Sequence, residues 1–293
     1  MKRLISFSLF LSTAMLFAFS VAAKAAEVGP SKGTLIAVGG AMRDPAILNR
    51  FFELAGGRDA PIVIIPTAAG EESYGPYWRG LLRFKEAGAT NLTLLHTADR
   101  AVADSEDFVR PIREAQGVFF TGGRQWRLAD SYLNTRTQRE LEALLDRGGV
   151  IGGSSAGATI QGSYLVRGDT KTNTIMMGDH VEGFGFLRKV AIDQHLLKSN
   201  RQFDLIEVIE AHPELLGIGL DEDTAIVVQG DEFRVIGQGY VAVYDHRRSI
   251  PPRGKFYFLA PGDRYDLKTR KAFRGGRREQ VPLERVQEEK WAD

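Results

Sequence analysis

Gly149-Val150-Ile151-Gly152-Gly153-Ser154-Ser155-Ala156-Gly157-Ala158-Thr159 is the stretch on which the reading of the chain turns. Two β-branched residues lead into paired glycines and paired serines, then into a run of small residues able to open a helix. Gly153-x-Ser155-x-Gly157 has the form of a nucleophile elbow, the sharp strand-to-helix turn that lifts a hydroxyl above a sheet edge. Glycines on either side permit backbone angles and close approaches that a Cβ forbids. The amides opening the following helix stand where a developing oxyanion needs donors. Gly/Ser clusters also serve as plain helix caps, so the turn alone leaves both readings open.

Upstream, apolar runs alternate with amphipathic ones. Strands are expected over residues 34–38, 61–66, 91–95, 117–120 and 149–151, and helices over 45–54, 77–87, 104–114 and 135–147. Pro111 interrupts the third helix. Short, fully apolar strands in that rhythm predict a three-layer, doubly wound, mainly parallel α/β sheet covered on both faces. In such sheets the active site lies outside the carboxyl ends of the strands. Three Gly-rich turns meet there: Gly39-Gly40, Gly122-Gly123 and the Ser155 turn. Downstream the rhythm changes. Residues 164–185 read as a polar excursion over the site, 190–192 as a strand with His195 just past it, 199–212 as a helix, and 226–228, 233–236, 240–244 and 255–259 as antiparallel strands extending or flanking the sheet.

The first residues read as an address. Lys2 and Arg3 precede an apolar run from Leu4 to Ala23, and Ala23-Lys24-Ala25 supplies a small-x-small cleavage pattern. Residues 1–25 are therefore expected to be a signal peptide and 26–293 a single domain, secreted or periplasmic, with no stable membrane insertion after cleavage. The chain has no cysteine, which excludes disulfides, thiol nucleophiles and thiolate metal sites. A formal net charge of +1 provides no field to hold nucleic acid. The basic cluster Arg270, Lys271, Arg274, Arg277 and Arg278, followed by Glu284, Glu288 and Glu289, reads as part of a solvated charged tail over residues 262–293. Gly39-Gly40-Ala41-Met42-Arg43 lacks dinucleotide spacing and no phosphate loop is present, so no cofactor and no metal is expected.

A serine hydroxyl is a poor nucleophile without a base, and the base needs a carboxylate to hold its tautomer. Of the histidines His96, His180, His195, His212 and His246, His195 stands just past an apolar run, and Asp221-Glu222-Asp223 stands at the end of another. Ser155, Asp221 and His246 form a competing set in the chain order of α/β-hydrolase esterases. A binding protein without turnover is the non-enzyme alternative.

Four ordered pieces make the reading specific: Phe120-Thr121-Gly122-Gly123-Arg124-Gln125, Gly153-Ser154-Ser155-Ala156-Gly157-Ala158, Asp193-Gln194-His195-Leu196, and the run Gly217 to Ala225. In these the chain resembles the cyanophycinase-type members of the S51 serine peptidase family, over about residues 33–242. The resemblance implies a class I glutamine amidotransferase-like fold with C-terminal antiparallel strands, serine replacing the cysteine nucleophile. It implies Ser155 as nucleophile, His195 as base and Glu222 as its acid partner. Amides near Gly123 and Ala156 are implied as the oxyanion hole, with Gln125, Asp193, Arg201 and Thr224 at the substrate. Cyanophycinases cut a poly-aspartate polymer carrying arginine on its side-chain carboxyls into β-aspartyl-arginine dipeptides. The implied partner is thus a peptide substrate, with a homodimer left open. Two departures bear on that substrate. Arg124 stands where the family commonly has aspartate, and Ser199 and Asp204 stand where it often has arginine. Serine cannot replace a bidentate guanidinium.

Overall fold

The computed structural model describes residues 26–247 and 254–275. The expected signal peptide, and the part of the expected tail from residue 276 on, lie outside the described residues.

Strand β1 (Thr34–Val38) is the element against which the others are laid. Its side chains alternate between two cores, Leu35 and Ala37 on one face and Ile36 and Val38 on the other, as a strand covered on both sides must. It pairs in parallel with β5 (Val150–Ser154) and antiparallel with β9 (Thr224–Gln229). Beyond β5 the parallel array continues through β4 (Gly117–Phe120), β2 (Ile62–Ile65) and β3 (Leu92–Leu94). Beyond β9, β10 (Glu232–Gly237), β13 (Arg264–Asp266) and β14 (Lys271–Phe273) are antiparallel. Among the described residues the order is β14-β13-β10-β9-β1-β5-β4-β2-β3.

Helices α1 (Pro45–Leu54) and α2 (Arg79–Glu86) cover one face. Asp44 caps α1 by accepting the Ala46 N–H at 2.8 Å, and Pro45 fits the first turn, where an N–H has no partner to lose. Phe51 and Phe84 pack edge-on against Phe119 with ring centroids 5.3 and 5.1 Å away. Each fully buried ring of this kind stabilises the fold by roughly 2 kcal/mol. The other face is covered by α3 (Arg100–Ala103), α4 (Glu106–Glu114), α5 (Gln125–Tyr132), α6 (Arg136–Asp146) and the short α7 (Ala156–Thr159).

The same core is closed by a second sheet. It consists of β6 (Gly162–Tyr164), β7 (Leu187–Gln194), β8 (Leu216–Leu220), β11 (Val241–Asp245) and β12 (Tyr257–Leu259), in the order β12-β11-β8-β7-β6. Val190, Ile192, Ile218, Leu220, Val241 and Val243 face the core shared with Leu35 and Ile151. Ala191, Ala242 and Tyr244 face outward against Leu205, Val208 and Ile209 of α8 (Asp204–Ala211).

Several expectations are corrected here. Of the expected antiparallel strands, β9 and β10 extend the main sheet, whereas β11 and β12 join β8, β7 and β6 in a second sheet. The helix expected from residue 199 begins at Asp204, because 199–203 form a turn closed by Ser199 N–H to His195 O and Arg201 N–H to Leu196 O. Helix α4 runs through Pro111, whose missing N–H costs one intrahelical bond, while Ser105 caps the start. Residues 264–273 are not a solvated tail. Tyr265, Leu267 and Ala272 are buried in the core and carry Arg270 inward, where Nη1 meets Asp245 Oδ1 at 2.6 Å. Among the described residues no helix is long and apolar enough to cross a membrane, and no group of three or more side chains is arranged to hold a metal ion.

Candidate active site

Three consecutive carbonyls at the end of β1 gather three distant turns. Val38 O accepts the Ser155 N–H at 2.9 Å, Gly39 O the His195 N–H at 2.8 Å, and Gly40 O the Asp223 N–H at 3.1 Å. The β-ladders bring those turns to the same edge. Ser154 lies opposite Val38, Ala225 lies on its other side, and Gln194 pairs with Leu220. A hydroxyl, an imidazole and a carboxylate far apart in sequence are thereby delivered to one sheet end.

Ser155 Oγ lies 3.0 Å from His195 Nε2, and His195 Nδ1 lies 2.9 Å from Glu222 Oε1. With Nδ1–H donated to the carboxylate, Nε2 is the lone-pair nitrogen facing the hydroxyl. Ser155 holds φ 56° and ψ −114°, neither helical nor extended. A non-glycine residue there stores about 1–3 kcal/mol of strain, which the pairing of β5 with β1 and β4 sustains. His195 also sits at positive φ, 53°, just past β7. Its ring rests on Gly40, where a Cβ would stand 2.3 Å from Cε1 and 2.6 Å from Nδ1. That contact is the physical reason for glycine at the second position of the first Gly-Gly turn.

The second Gly-Gly turn abuts the hydroxyl. A Cβ built on Gly122 would stand 3.8 Å from Ser155 Oγ. Gly123 takes φ 144° and is exposed, with Arg124 N–H held by Ala68 O at 2.8 Å. Ala156 opens α7, so its N–H has no intrahelical acceptor. Ser155 N–H, engaged by Val38 O, is not available to an oxyanion.

The acid turn is braced on both sides. Thr224 Oγ1 donates to Glu222 O at 3.0 Å and accepts the Gly239 N–H at 2.8 Å. Asp221 accepts the N–H groups of Leu197 and Lys198, tying the turn to the chain after His195. Across from it, Asp223 Oδ1 accepts the N–H groups of Arg43 and Asp44, and Arg43 Nε reaches Asp223 Oδ2 at 2.8 Å. Arg43 Nη2 lies 3.3 Å from Glu222 Oε2. Burial of Asp223 raises its carboxyl, but the bonds from Arg43 and Asp44 outweigh that and hold it below the usual range. Ala41 and Met42, at φ 55° and 51°, are two consecutive left-handed residues leading into Arg43. Each such residue costs about 1–2 kcal/mol without a Gly.

The remaining residues implied by the resemblance fall elsewhere. Asp193 is fully buried and both its oxygens are taken by Arg167, Nε at 2.7 Å and Nη2 at 2.9 Å. Asp204 shares the same guanidinium. Burial works against the Arg167 charge, but the two carboxylates prevail and raise its pKa. Gln125 is buried and donates to Val166 O at 2.8 Å and Arg167 O at 3.0 Å. Arg124 Nη2 donates to Thr172 O at 2.7 Å and to Asp169 O. These three side chains pin the 164–185 excursion down and do not face solvent as a binding surface. Thr224 is likewise a brace, fully buried under the acid turn. Arg201 Nη1 donates to Gln194 O at 3.0 Å and Gln194 Oε1 at 3.1 Å, beside the buried cluster. Burial and then the Arg167 cation lower its pKa, against Asp193 and Asp204.

The competing set is excluded by topology. β11 runs antiparallel to β8, so Asp245 pairs with Leu216, and His246 lies at the end of β8 opposite Asp221. Reading residues alone missed Arg43 and Arg167, which no motif marks, and the carbonyls of Val38, Gly39 and Gly40. The Gly39-Gly40 pair was their one visible sign.

The family model for peptidase family S51 matches residues 35–236. A cyanophycinase of Geminocystis herdmanii is 33% identical over 266 residues, covering 83% of this chain and 97% of that protein. A cyanophycinase of Synechococcus elongatus is 35% identical over 224 residues, covering 74% of this chain and 69% of its own. Among solved structures, a peptidase from an acI-B1 Actinobacterium superposes with a TM-score of 0.64 at 25% identity, covering 80% of this chain and 97% of that one. A putative peptidase E protein from Listeria monocytogenes matches in fold alone, with a TM-score of 0.53 at 16% identity. A match running from β1 into β10, which takes in the turns of Ser155, His195 and Glu222, places the chain in peptidase family S51, and it is a cyanophycinase-like, serine-type hydrolase.

Proposed function

We propose that this chain is an exported peptidase that hydrolyses aspartyl bonds, β-aspartyl in particular, through Ser155, His195 and Glu222. The observation that carries the reading is the unbroken series from Ser155 Oγ to His195 Nε2 at 3.0 Å and from His195 Nδ1 to Glu222 Oε1 at 2.9 Å. Both contacts are within the reach that proton transfer requires. Ser155 Oγ attacks the scissile carbonyl carbon as its proton passes to His195 Nε2. The N–H groups of Gly123, in the turn after β4, and Ala156, at the start of α7, receive the oxyanion. Glu222 accepts from Nδ1 and stabilises the imidazolium without taking the proton. The tetrahedral species collapses, the C–N bond breaks, and His195 gives its proton to the departing amine. Water, deprotonated by His195, then attacks the Ser155 ester and releases the acid half of the substrate.

The cyanophycinase relatives support the β-aspartyl bond as the target. The residues around the site point away from a copy of their polymer recognition. Asp193 and Asp204 are spent on Arg167, and Ser199 offers no guanidinium. Of the arginines expected after His195 only Arg201 remains, and its Nη1 is engaged by Gln194, so no row of guanidinium groups is offered to a run of carboxylates. Short aspartyl peptides fit this better than a long polymer. The sequence of residues 1–25 supports export. A hydrolysis panel tests the substrate: β-aspartyl dipeptides, α-aspartyl dipeptides and cyanophycin, each with the purified mature chain. Turnover of β-aspartyl dipeptides above the other two supports the proposal. Turnover of α-aspartyl peptides alone overturns it.

A further inference from the structure

The carboxylate that orients His195 has a second oxygen, and its partner is not part of the series above. We infer that Arg43 is a positioning residue for the reaction: it holds Glu222 by its outer oxygen, so that the inner one stays aimed at His195 Nδ1. This rests on the reading of Ser155, His195 and Glu222 as the reacting set.

Three observations converge on Arg43. First, the guanidinium spans both acids of the turn, Nε to Asp223 Oδ2 at 2.8 Å and Nη2 to Glu222 Oε2 at 3.3 Å. Such a planar fork fixes an angle as well as a distance, which a lysine ammonium does not. Second, the backbone commits to this placement. Arg43 N–H and Asp44 N–H both donate to Asp223 Oδ1, and Asp223 N–H returns a bond to Gly40 O. The strained left-handed pair Ala41 and Met42 aims the side chain at the acid turn, with Arg83 Nη1 donating to Ala41 O at 2.8 Å. Third, among the described residues the Glu222 carboxylate is met only by His195 on Oε1 and Arg43 on Oε2, since Thr224 braces the carbonyl. Arg43 is 68% exposed against 19% for Glu222, so solvent screens its charge and its main effect is geometric.

Arg43 touches no reacting atom, so its loss is expected in kcat and not in KM. Arg43→Ala should lower kcat about five- to tenfold, the effect of one screened, charge-assisted bond. A probe without peptide specificity isolates the step. With diisopropyl fluorophosphate the Ser155 Oγ–P bond forms, fluoride leaves and the proton passes to His195 Nε2. The rate of that labelling should fall by the same factor in Arg43→Ala and be restored in part by added ethylguanidinium. Arg43→Lys, which keeps the charge without the fork, should lie between, and it serves as the readout if the alanine variant does not fold. Arg43→Ala with labelling within twofold of the parent, or with the whole loss in KM, overturns the inference. A role confined to folding would lower Tm and the titrated fraction of active sites, with no rescue, and that also overturns it. Failure of the underlying triad is seen separately: a parent protein whose Ser155 is not labelled at all, or a Ser155→Ala variant that still hydrolyses peptide.

Discussion

Replacing Gly40 by alanine adds one methyl group where the geometry leaves no room for it. The new Cβ would stand 2.3 Å from His195 Cε1, 2.6 Å from Nδ1 and 2.9 Å from Nε2, so the ring must withdraw by about 1 Å to restore ordinary contact. It has nowhere to go that preserves its bonds. The 3.0 Å contact to Ser155 and the 2.9 Å contact to Glu222 are both made by this ring, and its backbone N–H is fixed to Gly39 O. A displacement of that size costs about 100-fold in rate when it falls on a reacting group. The backbone adds a second term, since alanine at φ 132° is strained by about 1–3 kcal/mol. The expected result is kcat/KM lowered at least about 100-fold, with a Tm fall of several degrees and an intact fold by circular dichroism. Kinetics on the best panel substrate, with active-site titration, reads the first part. A Gly40→Ala enzyme within threefold of the parent would refute the claim that the His195 ring packs on this glycine and works from there.

Three further outcomes follow from the same geometry. Asp193→Ala leaves the buried Arg167 with only the partly exposed Asp204 as counter-charge, so it should destabilise the protein by up to about 3 kcal/mol in urea unfolding; the double variant Arg167→Met, Asp193→Leu should recover much of that. Burial lowers the His180 pKa, but the bonds to Asp179 and Asp130 outweigh it and hold it above the ordinary value. That interaction is therefore present below the ordinary histidine pKa and lost as pH rises through the raised one, so the 164–185 excursion should become more open to proteolysis above neutral pH, and His180→Ala should remove this pH dependence. Gly123→Ala puts a Cβ 2.0 Å from Ala68 O, and should lower kcat about 100-fold or more while KM changes little.

The parallel half of the fold was legible because its strands are short, mostly apolar and separated by amphipathic helices, a local pattern. β1, β2 and β4 and helix α1 fall where that pattern puts them. The second sheet was not legible, because which strand pairs with which is settled by long-range packing; β7 mixes Arg188, Lys189, Asp193 and Gln194 with its apolar residues, and only the shared core reveals that it faces β1 across a layer. β13 and β14 were hidden by charge, since a strand of three residues carries too little alternation to outweigh five nearby cations. At the site, the hydroxyl, imidazole and carboxylate were readable from ordered motifs. The inward packing of Gln125, Asp193 and Thr224 was not, because motif position does not say which way a polar side chain turns. Arg167, which takes both Asp193 oxygens, and Arg43, which reaches Glu222, lie in no motif.

The central claim is that Ser155, and not its neighbour Ser154, forms the bond to substrate. Its most direct test is the hydrolysis rate of Ser155→Ala beside Ser154→Ala on the best substrate of the panel, with an acid-quenched mass spectrum of the parent during turnover. The expected result is an adduct on the peptide carrying Ser155 and a loss of about 10⁴-fold or more in Ser155→Ala, with Ser154→Ala retaining turnover. A Ser155→Ala protein that hydrolyses the substrate at the parental rate would contradict it.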